Sequence, residues 1–173
     1  TYLFATDLTE VAPDPAFLAA IKAVTIPDLP ASDLPATIEG LRTGIFLGFT
    51  APLDRQAGET KPLLTKIDIS NFALTWGQLS ATAKGIVEAD DQGYAAGEVT
   101  VEVTNWNRLP ALLVAAGAIT PEAAPTVARG MQALAAQSPD LSVLSLKLTP
   151  AEGRMSFGPF PLGPAPLMVP PSG

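Results

Sequence analysis

A helical apolar pattern is the first regular feature along the chain. Phe17, Leu18 and Ile21 share one helix face by their spacing, and the pair Asp14-Pro15 stands just before them. An acidic residue followed by proline is typical of a helix start, because the side chain caps the first turn and proline suits the first helical position. The pattern therefore predicts a short helix over residues 14–24.

The stretches on either side of this helix show no sustained period. Residues 1–12 contain two short apolar alternations and are interpreted as a mixed lead-in. Residues 25–37 contain three prolines, and each one fixes its own φ and favours extended geometry in the residue before it. We therefore expect residues 1–38 to form an N-terminal region made of a short helix and a Pro-rich connection.

A period of two follows, which indicates β-strands. Alternating apolar side chains predict one strand over residues 40–50, a second over 63–76 and a third over 79–88. The polar stretch 54–60 predicts a loop between the first two. In the second strand the apolar phase slips by one residue near Ser70-Asn71, and an inserted residue of this kind predicts a β-bulge.

The pattern then changes from strand to helix and back again. Residues 90–93 have the composition of a turn, and residues 99–104 form the cleanest amphipathic strand of the chain. Apolar spacing of three and four then predicts two helices, over about 107–117 and 121–137. Alternation between residues 144 and 157 predicts a closing hairpin.

Together these elements predict an α+β fold. Over residues 39–158 we expect a curved antiparallel meander of about five to seven strands, with the helical hairpin packed on its apolar face. Residues 159–173 contain six prolines and predict a Pro-rich extended C-terminal arm, which either packs on its own sheet or reaches a partner. The whole is interpreted as one domain. Because the chain opens at Thr1 without a methionine, we also expect it to be a fragment of a longer protein.

Composition removes several classes of function. The chain carries a formal charge of −7, which argues against nucleic-acid binding and against an anionic membrane surface. It contains no Cys and no His, so disulfides, common zinc sites and Ser-His-Asp triads are excluded. No apolar run of about eighteen residues is present, so no membrane span is expected in this chain. We expect no cofactor, and an enzyme is the least favoured class.

The acidic residues offer no convincing site. Asp90 and Asp91, with Glu88 nearby, are candidates for binding a hard cation, but their spacing is not that of an EF-hand and a simple turn explains them. Glu98 and Glu102 lie about 13 Å apart by strand rise, further than the roughly 9.5 Å limit for a glycosidase pair. We interpret this pair as a solvated sheet face, and we expect no metal site.

The most distinctive sequence lies near the C-terminus. Residues 153–166, together with Leu-Thr-Trp-Gly at 74–77 and the Val-Thr-Asn-Trp run within 97–109, resemble a family of uncharacterised alphaproteobacterial proteins known as domain of unknown function 2125. The resemblance covers about residues 65–166 and implies an envelope protein with a periplasmic location. A weaker likeness to AsmA-type envelope proteins implies a lipid-handling sheet. The family brings no established catalytic residues, and residues 1–60 resemble no known family.

These observations leave three hypotheses. The first is a non-catalytic envelope domain that binds an apolar, lipid-like ligand or an envelope protein partner through a curved sheet face. The second is an assembly module that uses a sheet edge or the Pro-rich arm, and an enzyme is the third. A ligand-binding domain should contain an apolar cavity of roughly 300 Å³ or more. Its candidate residues are the inward ones near the predicted helices: Trp76, Val101, Val103, Trp106, Leu112, Leu113, Met131 and Phe157.

Overall fold

A computed structural model describes residues 1–53 and 61–170 of the chain. The predicted loop at 54–60 and the last three residues lie outside this part. The described residues form eight strands, three α-helices and one 3₁₀ turn. In chain order these are β1 (Tyr2–Val11), α1 (Pro15–Ala23), β2 (Ile38–Phe49), β3 (Leu64–Trp76), β4 (Leu79–Ala89), β5 (Ala95–Thr104), the 3₁₀ turn (Trp106–Arg108), α2 (Leu109–Ala115), α3 (Ala124–Ala135), β6 (Val143–Ala151), β7 (Arg154–Phe157) and β8 (Phe160–Pro164).

All eight strands belong to one antiparallel sheet whose spatial order is the chain order, β1 to β8. The sheet is open within the described residues, with β1 and β8 at its edges. The predicted α+β class and antiparallel meander are therefore confirmed. The strand number exceeds the predicted range because one strand at each edge of the sheet was not anticipated.

The interpretation of residues 1–12 as a lead-in is wrong. These residues form β1, which pairs with β2 from Tyr2 opposite Leu47 to Val11 opposite Ile38. Among residues 1–53 and 61–170 this strand has a neighbour on one side only, and several of its apolar side chains are exposed. An edge strand with little burial lacks the clean apolar-polar alternation that a half-buried strand shows, so its pattern was weak.

The bulge predicted at Ser70-Asn71 is confirmed. The β3–β4 register shifts between Ile69 and Phe72, and the Ser70 hydroxyl donates a hydrogen bond of 2.9 Å to the Gly44 carbonyl on β2. Because one residue is inserted, the apolar side chains on either side of the bulge return to the same sheet face.

One end of the inner sheet face is covered by the helices and forms the principal core. Leu144 on β6 lies opposite Val103 on β5, which in turn lies opposite Ala81 on β4. Helix α1 contributes Ile21, which is fully buried. The principal core comprises Ile21, Leu34, Trp76, Leu79, Val103, Trp106, Met131, Ala135, Leu144 and Leu146.

Helices α2 and α3 are shorter than the predicted segments. The first begins as the 3₁₀ turn Trp106–Arg108 before α2 starts at Leu109. The second begins at Ala124, with Pro125 in its first turn, where proline costs no helical hydrogen bond; in a later turn it would remove one and clash with the carbonyl four residues before it. The Thr120 hydroxyl accepts a hydrogen bond of 3.3 Å from the Ala123 N–H in the turn that precedes α3.

The Pro-rich C-terminal segment lies against its own sheet as far as residue 170. Strand β8 pairs with β7, and beyond it the chain returns to the β4–β5 turn. There the Gly93 carbonyl accepts hydrogen bonds from the amides of Met168 and Val169, at 2.8 and 3.0 Å. The Ala95 N–H donates to the Pro166 carbonyl at 2.9 Å. The segment therefore covers the end of the sheet opposite the helices.

Candidate ligand-binding cavity

An apolar cavity of about 430 Å³ lies between the helical layer and the C-terminal strands. Its walls come from the end of α2, the loop between α2 and α3, one flank of α3, and β7 with β8. The volume falls within the range of small-molecule sites, roughly 300–1,000 Å³. The lining residues are Leu113, Ala118, Ile119, Thr120, Ala123, Val127, Met131, Phe157, Phe160, Pro161 and Leu162.

Helical spacing aims one flank of α3 at this cavity. Val127 and Met131 are four residues apart on the helix, and Ala123 lies four residues before Val127 at the helix N-cap, so the three lie in one row. The opposite wall is a cross-strand pair, Phe157 of β7 opposite Phe160 of β8. Two aromatic rings thus face a row of aliphatic side chains.

The lining is almost wholly apolar. None of the lining residues is ionisable, and Thr120 carries the only polar side chain among them. Its oxygen already accepts a hydrogen bond from the Ala123 amide. A charged group placed inside would lose its hydration without gaining an oppositely charged partner, which costs several kcal/mol. The cavity therefore suits a hydrocarbon chain or an uncharged apolar body.

A second cavity, of about 450 Å³, lies on the other flank of α3 and differs in chemistry. Arg129 and Gln132 line it from the helix, and Asp28 lines it from the Pro-rich connection. Trp106 forms part of its floor. Helix α3 therefore separates an apolar cavity from a polar one.

The structure brings all eight candidate residues together around the principal core. Trp76, Val103, Trp106 and Met131 are buried members of it, and the other four are partly buried and pack against it. Leu113, Met131 and Phe157 also line the apolar cavity. Trp76, Val101, Val103 and Leu112 line neither this cavity nor the polar one.

The two tryptophans are fixed by hydrogen bonds to backbone carbonyls. The Trp76 indole N–H donates to the Pro35 carbonyl at 2.8 Å, which ties the Pro-rich connection to the sheet. The Trp106 indole N–H donates to the Leu141 carbonyl at 3.0 Å. These bonds satisfy the only polar group of each ring and fix the ring's position.

Several lining residues were missed as candidates. Val127 belongs to the apolar stripe predicted for the second helix, but the stripe alone does not say which flank borders a cavity. Phe160 and Leu162 stand out as apolar positions of the Pro-rich segment, yet their place in the wall depends on the pairing of β8 with β7. No sequence signal indicates the alanines and Ile119 of the helix connection.

The acidic residues behave as the turn and surface interpretations predict. The Asp90 carboxylate accepts hydrogen bonds of 2.9 Å from the amides of Gln92 and Tyr94, as a turn-capping residue does. Glu98 is exposed and forms an ion pair of 3.1 Å with Lys147 on the neighbouring strand. Among the described residues, no group of three or more acidic side chains is arranged to hold a metal ion.

One ion pair is better defined than the rest. Arg108 donates two hydrogen bonds of 2.6 Å to the two carboxylate oxygens of Asp33 and a third, of 3.2 Å, to the Gln78 side chain. The hydrogen bond from Arg108 lowers the pKa of Asp33 below its ordinary value, and the same contact raises the pKa of Arg108. The pair joins the Pro-rich connection to the 3₁₀ turn beside the core.

The open antiparallel sheet, its helical layer and this cavity define an α+β protein with an apolar cavity between its helices and its C-terminal strands. The family model described as an uncharacterized protein conserved in bacteria (DUF2125) matches residues 1–166, so the chain belongs to that family. The match begins at residue 1 and so includes the region that resembled no family. It does not bear on the AsmA-type likeness. No curated protein and no solved structure matches the chain.

None of the helices among the described residues has the length and apolarity needed to cross a bilayer.

Proposed function

We propose that this protein is a non-catalytic binding domain for an apolar, lipid-like ligand. The observation that carries the proposal is the 430 Å³ cavity, whose lining includes no ionisable side chain. Three of the residues expected from sequence to contact a ligand lie in its wall: Leu113, Met131 and Phe157. The sequence analysis expected a ligand on the curved sheet face. We propose that the ligand instead lies in the cavity between one flank of α3 and strands β7 and β8.

The lining also limits the chemistry of the ligand. A hydrocarbon chain would bury its surface against Val127, Met131 and the two phenylalanine rings, at a gain of roughly 25 cal/mol per Å² buried. A carboxylate or phosphate headgroup would remain at the mouth of the cavity, because none of the lining side chains carries a positive charge to pair with it. A periplasmic location, as the family resemblance implies, belongs to the same proposal.

A titration with a fluorescent dodecanoic acid tests the proposal. The purified chain should increase the probe's fluorescence saturably, and unlabelled dodecanoate should displace it. Val127→Phe adds volume inside the cavity and should weaken binding about tenfold, which corresponds to ~1.4 kcal/mol. No saturable binding to the parent chain would overturn the proposal.

A matched control separates cavity filling from general damage. Val143 is half-buried on β6 and does not line the cavity, so Val143→Phe makes the same chemical change elsewhere. Its probe affinity should equal that of the parent. Equal weakening by both substitutions would contradict binding in this cavity.

A further inference from the structure

The free edge of β1 is a second feature, independent of the cavity. Within the described residues this ten-residue strand pairs with β2 on one side and with nothing on the other. A long edge presents a row of unpaired N–H and C=O groups, which another strand can satisfy. Such an edge is a template for intermolecular sheet formation.

Exposed apolar side chains concentrate at the same edge. Leu3, Phe4 and Leu8 on β1 are 57%, 51% and 44% exposed, and Phe46 on β2 is 36% exposed. Phe4 and Leu8 lie on the inner face of the sheet, while Leu3 lies opposite Phe46 on the outer face. At this edge both faces of the sheet therefore carry exposed apolar side chains, and the backbone between them is unpaired. A partner strand would pair with the backbone and cover part of the apolar surface on each face.

We propose that β1 pairs antiparallel with β1 of a second copy of this chain, about a two-fold axis at Thr6. In this register Phe4 lies opposite Leu8 of the second copy, and Thr6 lies opposite Thr6. Aromatic-aliphatic and Thr-Thr pairs are both favourable cross-strand neighbours. The inner faces of the two sheets lie on the same side, so the apolar surface continues across the interface.

Charge favours this register over its neighbours. Centring the axis on Asp7 would place two carboxylates directly opposite each other, which is destabilising. Centring it on Ala5 would place Leu3 opposite Asp7. With the axis at Thr6, Asp7 lies opposite Ala5 and keeps its ion pair of 3.3 Å with Arg42 on β2.

The C-terminal segment of the same chain is a poorer occupant. Its residues 165–169 are already hydrogen-bonded to Gly93, Ala95 and Gly153, far along the sheet order from β1.

Strand β8, at the other edge, is only five residues long and contains two prolines, which lack the N–H that pairing requires. The edge of β1 is therefore the better site for a second copy.

The absence of cysteine makes the register directly testable. In Thr6→Cys the two sulfurs would face each other across Cα atoms about 4.5–5.5 Å apart, a distance suited to a disulfide. Mild oxidation should therefore give a covalent dimer. In the matched control Thr9→Cys, each cysteine lies opposite Leu3 and about 20 Å from its counterpart, so no rapid cross-linking is expected.

Sedimentation of the parent chain provides the second measurement. A concentration-dependent dimer is expected, and Leu8→Lys should shift it to monomer because the new charge faces Phe4 of the second copy. A parent chain that stays monomeric at all concentrations overturns the proposal, as does equal cross-linking at positions 6 and 9. Neither result bears on ligand binding, since no residue of β1 lines the cavity.

Discussion

The Phe160 ring packs directly on Gly130, where β8 meets α3 at the cavity wall. A Cβ atom built on Gly130 would lie 2.5 Å from Cε1 of the ring, so the glycine allows strand and helix to approach this closely. Because Phe160 lines the cavity, the space available to a displaced ring is the cavity itself. The contact therefore links helix packing to the size of the site.

Gly130→Ala should reduce ligand binding with little loss of stability. Alanine in a helix interior is favoured over glycine by about 1 kcal/mol, which offsets the cost of moving the ring. Titration of the dodecanoic acid probe should show affinity falling about tenfold, equivalent to ~1.4 kcal/mol. Adding Phe160→Leu should restore part of the affinity, and the absence of any coupling in this double-mutant cycle would contradict the proposed contact.

Acid should weaken the fold partly through the pair formed by Asp33 and Arg108. Since the pKa of Asp33 is lowered in the folded chain, its contribution to stability is complete above its unfolded pKa, about 3.9. It is lost as the pH falls through the lower folded pKa. The effect is modest, because the Asp33 side chain is 54% exposed and such pairs contribute up to about 1 kcal/mol.

Thermal unfolding of the parent and Asp33→Asn between pH 2 and 7 measures this contribution. The parent should be more stable at pH 7, and the two curves should converge near pH 2. Asp140, whose pKa is lowered by hydrogen bonds from Ser142, titrates in both proteins and cancels in the comparison. A constant difference at every pH would show that Asp33 acts through shape and not through charge.

The central strands of the sheet could be predicted from sequence because each has one solvent-exposed face and one buried face. Val99, Val101 and Val103 on β5 alternate with charged or polar residues, and the structure places them on the inner face. The bulge at Ser70 was visible for the same reason, as a change of phase. Apolar-polar alternation indicates which face of a strand is buried, so it predicts strands wherever only one face is buried.

Edges and cavities lack such a signal. Strand β1 has exposed apolar residues on both faces, and β8 contains prolines that argue against a strand in general. The cavity forms only when β8 pairs with β7 and places Phe160 against α3, a contact between residues thirty positions apart in the sequence. The candidate residues, which were chosen from apolar patterns, therefore all belong to the principal core or pack against it. Only some of them also line the apolar cavity.

Gly93→Ala should release the C-terminal segment from the β4–β5 turn. Gly93 has φ of +85°, and a Cβ atom there would overlap the Val169 carbonyl oxygen. Because both the positive φ and this overlap disfavour any side chain at position 93, we expect the free energy of unfolding to fall by about 2 kcal/mol. Hydrogen exchange should show faster exchange of the Met168 and Val169 amides, which donate to Gly93.

Gly117→Ala is the matched control for this substitution. Gly117 also has a positive φ, of +76°, but a Cβ atom there would meet nothing within 4 Å. It should therefore show the backbone cost alone, about 1 kcal/mol, without faster exchange at the C-terminus. Equal exchange behaviour in the two variants would refute the close approach at Gly93.

Trp76→Phe should lower stability and leave ligand binding intact. The substitution removes the indole N–H that donates to the Pro35 carbonyl and opens space in the principal core, so a loss of about 2 kcal/mol is expected. Denaturant unfolding measures this loss, and the dodecanoic acid titration should change by less than about twofold, because Trp76 does not line the cavity.

Phe157→Leu gives the complementary result. Phe157 is partly buried at the edge of the same core but faces the cavity, so binding of the probe should weaken while stability falls by less than in Trp76→Phe. The two substitutions thus separate a residue of the principal core from one that lines the cavity. If Trp76→Phe abolished binding in a chain of unchanged stability, the ligand would lie beneath the Pro-rich connection and not beside α3.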